Sequence, residues 1–160
     1  MRINAKLIWS VVICEISGLL SLPFTAIPIS TWYLSLHKAS LNPPAWVFGP
    51  VWTLLYLLMG ISLFFIWNKK VTGKLNVTKL LGIQMFVLQL VLNFFWPVLF
   101  FVFHQSFFSL WELSILWMTI AACIIIFLKI SKPAAFILMP YLLWVTFAGY
   151  LNYMIWFLNH

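Results

Sequence analysis

Apolar residues occur along this chain in five continuous runs, separated by shorter polar stretches. Each run holds about 20 residues or more, the length that a helix needs to cross the roughly 30 Å hydrocarbon core of a bilayer. A strand of a membrane β-barrel would instead alternate apolar and polar positions. The pattern therefore predicts an all-α integral membrane protein, a bundle of five transmembrane helices in a single domain over residues 1–160. The predicted helices cover about 7–27, 46–67, 80–103, 107–128 and 134–158.

Three prolines mark the beginning of the second predicted helix. Pro43 and Pro44 disfavour helix in the residues before them, whereas Pro50 suits a first helical turn, where its missing N–H has no partner to lose. From here one face of the helix carries large aromatic side chains flanked by glycines, which in so apolar a chain is typical of a pocket wall. The residues on this face are Gly49, Trp52, Tyr56 and Gly60.

Two other predicted helices carry a similar stripe of polar and aromatic residues. On the third helix the stripe is Gln89, Asn93, Trp96 and Phe100, and on the fifth it is Trp144, Ala148, Asn152 and Ile155. Each stripe alone is explained by helix–helix packing, in which polar and small residues lie at contacts. Intramembrane amides otherwise need a partner or a cavity. Three such stripes together predict a lined cavity, and Pro97 is expected to kink or loosen the third helix.

The longest predicted connection, residues 28–45, joins the first two helices and contains Trp32, Tyr33, His37 and Lys38. Long loops in compact proteins are often lids or binding segments. Tryptophan and tyrosine also collect at membrane interfaces, so a plain connecting loop explains the composition equally well. The sequence leaves both interpretations open.

The composition supports a membrane location and excludes several classes of protein. Hydrophobic residues make up 65% of the chain and charged residues 7%, whereas a soluble domain is about one quarter charged. The net charge of +7 is spread between the apolar runs, so no nucleic-acid partner is expected. Cys14 and Cys123 lie within apolar runs, and no disulfide is expected. No small-x-small cleavage site follows the first run, which we expect to be retained as a helix.

The basic residues predict how the chain crosses the membrane. Alternation of five helices places eight of the nine Lys and Arg residues on one side and leaves Lys38 alone on the other. By the positive-inside rule, the N-terminus is expected in the cytoplasm and the C-terminus outside a bacterial cell membrane. The eight residues are Arg2, Lys6, Lys69, Lys70, Lys74, Lys79, Lys129 and Lys132.

Few residues suggest reaction chemistry. Glu15 and Glu112 lie within apolar runs, where a carboxyl group is a functional hypothesis by default, but each is equally explained by protonation or by a bond to a neighbouring helix. The three histidines, His37, His104 and His160, have no second ligand at helical spacing, so no transition-metal site is expected. Axial ligation of a haem by a single histidine is a weaker alternative, and no cofactor is predicted. Nucleotide-binding, Ser-His-Asp and CxxC motifs are absent from the sequence.

The aromatic and proline-rich segments resemble the translocator proteins, a family also called tryptophan-rich sensory proteins or peripheral-type benzodiazepine receptors. The resemblance extends over essentially the whole chain. Its first two segments are Trp32-Tyr33-Leu34-Ser35-Leu36-His37-Lys38 and Pro43-Pro44-Ala45-Trp46-Val47-Phe48-Gly49-Pro50-Val51-Trp52. Further matching positions are Tyr56, Met59, Gly60, Gln89, Asn93, Trp96, Pro97, Pro140, Tyr141, Trp144, Ala148, Leu151, Asn152, Tyr153 and Trp156.

This resemblance implies a five-helix bundle whose pocket is closed by the loop between helices one and two. It implies binding of porphyrins, protoporphyrin IX especially, and of synthetic isoquinoline carboxamide and benzodiazepine ligands. It also implies a homodimer with a role in tetrapyrrole handling or stress sensing. By position, the ligand-binding residues would be Tyr33, Pro43, Trp52, Asn93, Trp96, Trp144, Ala148 and Leu151.

The resemblance leaves the class of activity open. Some family members are reported to degrade protoporphyrin in light, and the required tryptophans correspond to Trp52 and Trp144, which are therefore the catalytic candidates. The alternative is a transporter of porphyrin or another hydrophobic small molecule. Phe157 stands where animal members carry an arginine proposed to contact cholesterol, so cholesterol binding is not carried over.

Overall fold

The computed structural model describes residues 5–159 and confirms an all-α membrane fold. Five helical segments are long and apolar enough to cross a bilayer: Ala5–Ser30, Ala45–Asn68, Lys74–Val102, Ser106–Leu128 and Lys132–Leu158. No strand occurs in the described part of the chain. Of the residues used above for topology and metal binding, Arg2 and His160 lie outside the described residues.

The described part of the chain forms seven α-helices and two irregular turns, all of which belong to the spanning segments except the four-residue helix Trp32–Ser35. A 3-10 turn, Ala45–Val47, precedes α3, and a π-helical turn, Val98–Val102, continues α4. Two helices, α6 and α7, together form the fifth spanning segment. The helices are α1 (Ala5–Ser30), α2 (Trp32–Ser35), α3 (Phe48–Asn68), α4 (Lys74–Pro97), α5 (Ser106–Leu128), α6 (Lys132–Ile137) and α7 (Met139–Leu158).

The long helices pack in a closed ring. The first helix, α1, packs against both α3 and α4; α4 packs against α5; α5 packs against α7; and α6 packs against α3. The half of the bundle near the lysine-rich connections is filled by side chains with almost no exposure, including Met59, Ile66, Phe86, Leu116 and Phe127. The other half holds a cavity.

Proline shapes three helix ends. Pro50 lies in the first turn of α3, as expected, and Pro140 lies in the first turn of α7. At Pro97 regular α-helix gives way to the π-helical turn, because proline cannot supply the backbone donor that an α-helix requires there. The predicted loosening of the third helix is therefore present.

Two helices are longer than their apolar runs. The first, α1, continues through Pro23 and Pro28 to Ser30, so the connection predicted at residues 28–45 begins only after Ser30. Ser and Thr hydroxyls along the end of α1 donate to nearby backbone carbonyls, as Thr25 does to Leu22, and such bonds help a membrane helix to tolerate proline. At the other end of the bundle α4 begins at Lys74 rather than near residue 80.

Glycine allows a close approach between α1 and α3. A Cβ atom on Gly60 would lie 2.5 Å from Cα of Val11 and 3.0 Å from the carbonyl oxygen of Ser10. Nearer to the cavity, a Cβ atom on Gly18 would overlap the ring of Tyr56. These two glycines therefore fix the distance between the helices and place the Tyr56 ring against α1.

Candidate ligand-binding site

A cavity of about 350 Å³ lies at the end of the bundle where α1 ends and α3 begins. Its walls come from α1, α3, α4 with its π-helical turn, and α7, and the segments at residues 33 and 45 lie over its end. This is the end of the bundle opposite the lysine-rich connections. Binding pockets in proteins typically have about this volume or more.

The cavity opens sideways between α1 and the start of α3. All of its well-exposed lining residues lie on these two segments, whereas those on α4 and α7 are buried or half-buried. The exposed lining residues are Leu19, Leu22, Ala26, Trp46, Gly49 and Thr53. A ligand can therefore extend beyond the enclosed volume into this opening.

Six of the eight ligand-binding residues implied by the family resemblance line this one cavity. They come from the segment after α1 and from three helices, so the fold brings together residues up to 118 positions apart in the sequence. The six are Tyr33, Trp52, Asn93, Trp96, Ala148 and Leu151. The three predicted stripes thus converge, although their residues at the greatest depth, Gly60 and Gln89, lie outside the cavity lining.

Pro43 and Trp144 do not line the cavity. The Trp144 ring makes an edge contact with the ring of Phe48 at 6.1 Å between centroids, and Phe48 does line the cavity. Trp144 therefore lies one layer behind the wall, and its buried Nε1 atom has no hydrogen-bond partner. Of the two tryptophans considered for light-dependent chemistry, Trp52 lines the cavity and Trp144 does not, and the chemistry itself stays a prediction.

Aromatic rings form two walls of the cavity. Trp96 stacks on Phe100 with 5.2 Å between ring centroids and 11° between planes. The ring centroids of Trp52 and Tyr56 are 5.8 Å apart, and the angle between the ring planes is 31°. Because aromatic rings attract other flat π-systems in offset or edge arrangements, these walls suit a flat aromatic ligand.

A chain of hydrogen bonds joins α3, α4 and α7 at the floor of the cavity. The Tyr56 hydroxyl donates to Oδ1 of Asn93, Nδ2 of Asn93 donates to the Tyr141 hydroxyl at 2.8 Å, and that hydroxyl donates to Oε1 of Gln89 at 2.9 Å. The Asn93 amide and the carbonyl oxygen of Gln89 thereby gain partners, whereas Nε2 of Gln89 is buried without one. Tyr141 was not among the predicted site residues, because its reach to α4 is not visible in the periodicity of α7.

A second polar cluster fixes Trp96. Its Nε1 atom donates to Oδ1 of Asn152 at 3.2 Å, and the Ser109 hydroxyl donates to the same oxygen at 2.9 Å. Nδ2 of Asn152 donates to the carbonyl oxygen of Ser106 at 2.7 Å. Asn152 therefore ties together α4, α5 and α7. The serines of α5 were missed by sequence reasoning, because hydroxyls are common in membrane helices and carry no spacing signal.

The segment between α1 and α3 folds over the end of the cavity. Tyr33 is buried there and donates its hydroxyl to Oδ1 of Asn42 at 2.6 Å. Burial raises the pKa of the Tyr33 phenol above its usual value, against the opposing effect of the bond to Asn42, so the phenol stays a donor at neutral pH. Asn159 exchanges two hydrogen bonds of 2.9 Å with the backbone of His37. These contacts hold the segment against the end of the bundle, and its role as a lid stays a prediction.

The two intramembrane acids occupy different environments. Glu15 lines the cavity, whereas Glu112 lies on α5 outside the lining, with both carboxyl oxygens buried and without hydrogen-bond partners. Their helices are not packing neighbours in the bundle, so the pair forms no carboxyl dyad. Among residues 5–159, no group of three His, Cys, Asp or Glu side chains is placed to hold a metal ion.

Comparison with known proteins places this architecture in one family. Residues 10–157 match the model of the TspO/MBR family. The chain belongs to this family. The identification made from the proline-rich and tryptophan-rich segments is thereby confirmed.

Named relatives of this TspO/MBR family member come from bacteria, archaea and animals. It is 39% identical to the tryptophan-rich protein TspO of Chlorobaculum tepidum over 92% of this chain and 91% of the relative. It is 37% identical to the Archaeoglobus fulgidus protein of the same name over 96% and 97%. It is 36% identical to the translocator protein of Bos taurus over 89% and 83%. Family membership and the five apolar helices make it a multi-pass membrane protein of the translocator and sensory type.

Proposed function

We propose that this TspO/MBR family member binds porphyrins, protoporphyrin IX in particular, in the cavity between α1, α3, α4 and α7. Tetrapyrrole handling or stress sensing would be the role served by this binding. The observation that carries the proposal is the pair of aromatic walls, Trp52 with Tyr56 and Trp96 with Phe100, which face one volume. Flat isoquinoline carboxamide and benzodiazepine ligands would use the same walls.

The cavity floor supports binding or sensing rather than transport. The hydrogen-bonded residues Tyr56, Asn93, Tyr141 and Gln89 close the floor, and the bundle beyond them is tightly filled. A transporter would need to open this half of the bundle, which requires separation of packed helices. Accumulation of porphyrin in sealed vesicles that contain the protein would establish the transporter alternative.

Removal of the Trp52 side chain should weaken porphyrin binding strongly. A ring that stacks on a flat ligand contributes about 1–3 kcal/mol in comparable base–aromatic contacts, so Trp52→Ala is expected to raise Kd by roughly 5- to 150-fold. Trp144→Ala should have a smaller effect, because Phe48 lies between Trp144 and the cavity. Kd is measured by titration with porphyrin, followed by the absorbance of the porphyrin. Tryptophan fluorescence is not used, because the variants differ in their tryptophan content.

The matched control for this titration is Trp111→Ala. Trp111 is 60% exposed on α5 and does not line the cavity, so its removal should leave Kd unchanged. Thermal unfolding of each variant establishes that it is folded. An unchanged Kd in folded Trp52→Ala protein, or an equal loss in Trp111→Ala protein, would place porphyrin elsewhere.

We also propose that the cavity end of the bundle faces the outside of the cell membrane. In the described part of the chain, Lys38 is the one lysine at the cavity end, and the other lysines lie at the opposite end. Positive charge is retained on the cytoplasmic side during insertion. The proposal places the N-terminus in the cytoplasm and the C-terminus outside.

Cysteine labelling should distinguish the two ends of the bundle. Cys14 and Cys123 have no exposed surface, so the natural cysteines give little background. In intact cells, a membrane-impermeant maleimide should label the exposed loop position in Ser40→Cys protein, and it should label Thr72→Cys protein only after lysis. The reverse pattern would show that the cavity end faces the cytoplasm.

A further inference from the structure

The deep end of the cavity contains a carboxyl group that an aromatic ligand alone does not require. Glu15 lines the cavity together with Tyr56 and Asn93. Among residues 5–159 it makes no hydrogen bond and no ion pair. A carboxyl group at membrane depth is costly unless it finds a partner or a polar cavity. The structure supplies the cavity but no protein partner for Glu15.

Apart from the tyrosines, Glu15 is also the single ionisable side chain in the cavity lining. The one lysine at this end of the described chain is Lys38, which lies outside the lining. Its ammonium donates to the carbonyl oxygens of Leu34 and Leu36 at 3.2 and 2.9 Å and lies 5.1 Å from the centre of the Tyr33 ring. The cavity lining therefore carries one carboxyl group at its deep end, and the ammonium group of the loop lies outside the lining.

The separation of these two groups gives the cavity a direction. The lining residues of α1 run from Glu15, nearest the middle of the bundle, to Ile29, beside the loop segment. With a rise of 1.5 Å per residue, these two positions are roughly 20 Å apart along the helix. A ligand that spans the cavity meets a carboxyl group at the deep end, whereas the Lys38 ammonium lies beyond the lining at the loop end.

From these observations we propose that Glu15 is a specificity-determining residue, which selects ligands that present an N–H donor or a protonated nitrogen to the deep end of the cavity. A charge-assisted hydrogen bond to Glu15 is stronger than a neutral one, whereas a ligand carboxylate at the same position meets like charge and gains no donor. The proposal rests on the cavity being the ligand site, as proposed above. It orients an amphiphilic ligand with its acidic groups toward the loop that carries Lys38.

Three small probes with one flat core test this selectivity. They are naphthalenes that carry an aminomethyl, a hydroxymethyl or a carboxylate group, and each is measured by displacement of protoporphyrin IX from purified full-length protein at pH 7. We expect the wild-type protein to bind the amine about tenfold or more tightly than the carboxylate, with the alcohol between them. Equal affinities for the three probes in the wild-type protein would overturn the proposal without any variant.

The variants then assign the selectivity to one residue. Glu15→Gln keeps the size of the side chain and removes the charge, so the ratio of amine to carboxylate affinity should fall to about one. Glu15→Leu should give the same ratio. Glu112→Gln changes the other intramembrane acid, which does not line the cavity, and should keep the wild-type ratio. A ratio that persists in Glu15→Gln and Glu15→Leu proteins, or that is lost equally in Glu112→Gln protein, would show that Glu15 does not select the ligand.

Porphyrin affinity is recorded for every variant in the same series, which separates the two proposals. Absence of porphyrin binding in all proteins, including the wild type, would contradict the proposed function. If porphyrin binds but Glu15→Gln and Glu15→Leu proteins keep the wild-type preference for the amine over the carboxylate, only the role of Glu15 is contradicted.

Discussion

Gly60→Ala protein is expected to unfold at a markedly lower temperature than the wild type. The added methyl group would lie 2.5 Å from Cα of Val11 and 3.0 Å from the carbonyl oxygen of Ser10. Both are backbone atoms, so the contact can be relieved only by separation of α1 from α3. Overpacking costs about 1–3 kcal/mol, and a cost near the upper end is expected here because the contacts are with backbone atoms. Such a cost exceeds the roughly 1 kcal/mol that alanine gains over glycine within a helix.

Gly49→Ala provides the matched control on the same helix. A Cβ atom at Gly49 meets nothing within 4 Å, so this substitution should be neutral or slightly stabilising. Thermal unfolding of both variants in the same detergent measures the difference. Equal midpoints for Gly60→Ala and Gly49→Ala proteins would mean that the close approach of α1 and α3 does not limit stability. Gly60→Leu should be more damaging than Gly60→Ala, because its side chain is larger.

Tyr141→Phe is expected to have the second large effect, through the hydrogen-bond chain at the cavity floor. The Tyr141 hydroxyl accepts from Asn93 and donates to Gln89. Its removal leaves two buried amide groups without these partners, at a cost of about 1–3 kcal/mol for each group. Double-mutant cycles in membrane proteins give smaller values for single hydrogen bonds, on average about 0.6 kcal/mol. The effect should therefore lie between about 1 kcal/mol and several kcal/mol.

Tyr153→Phe tests whether the loss of stability is specific to the buried chain of hydrogen bonds. Tyr153 is 44% exposed, and its ring contacts with Trp156 and Phe157 are retained by phenylalanine. The free energy of unfolding, measured by denaturant titration in detergent, should fall in Tyr141→Phe protein and stay the same in Tyr153→Phe protein. Equal stability of the two variants would show that the buried hydrogen bonds contribute little to the free energy of unfolding.

The sequence by itself determined the fold class, because the bilayer leaves few alternatives. Backbone donors and acceptors in hydrocarbon must be satisfied within the chain, so a long continuous apolar run has to form a helix. Proline positions located the beginning of α3 and the end of α4 for equally local reasons. The boundaries that lay in polar residues, such as the start of α4 at Lys74, could not be read from apolar runs.

Helical spacing and the family resemblance also identified part of the cavity lining, but neither indicated α1 as a wall, although α1 supplies eight of the lining residues. Helical spacing grouped Gly49 with Gly60 and Trp144 with Ala148, and the structure separates the members of both pairs. Gly49 lines the cavity, whereas Gly60 packs against α1. Ala148 lines the cavity, whereas Trp144 lies behind Phe48.

Only the tertiary structure decided these separations, together with the partners of the buried amides and the position of Glu15 in the cavity. Spacing along a helix fixes which side chains share a face. It does not fix the rotation of that helix in the bundle, which neighbour covers each level of the face, or where two helices diverge. Those quantities depend on side-chain packing across five spanning segments, as between Gly60 and Val11. The sequence could place each stripe on its own helix. Contacts between residues distant in the sequence determined how the three stripes come together around one cavity.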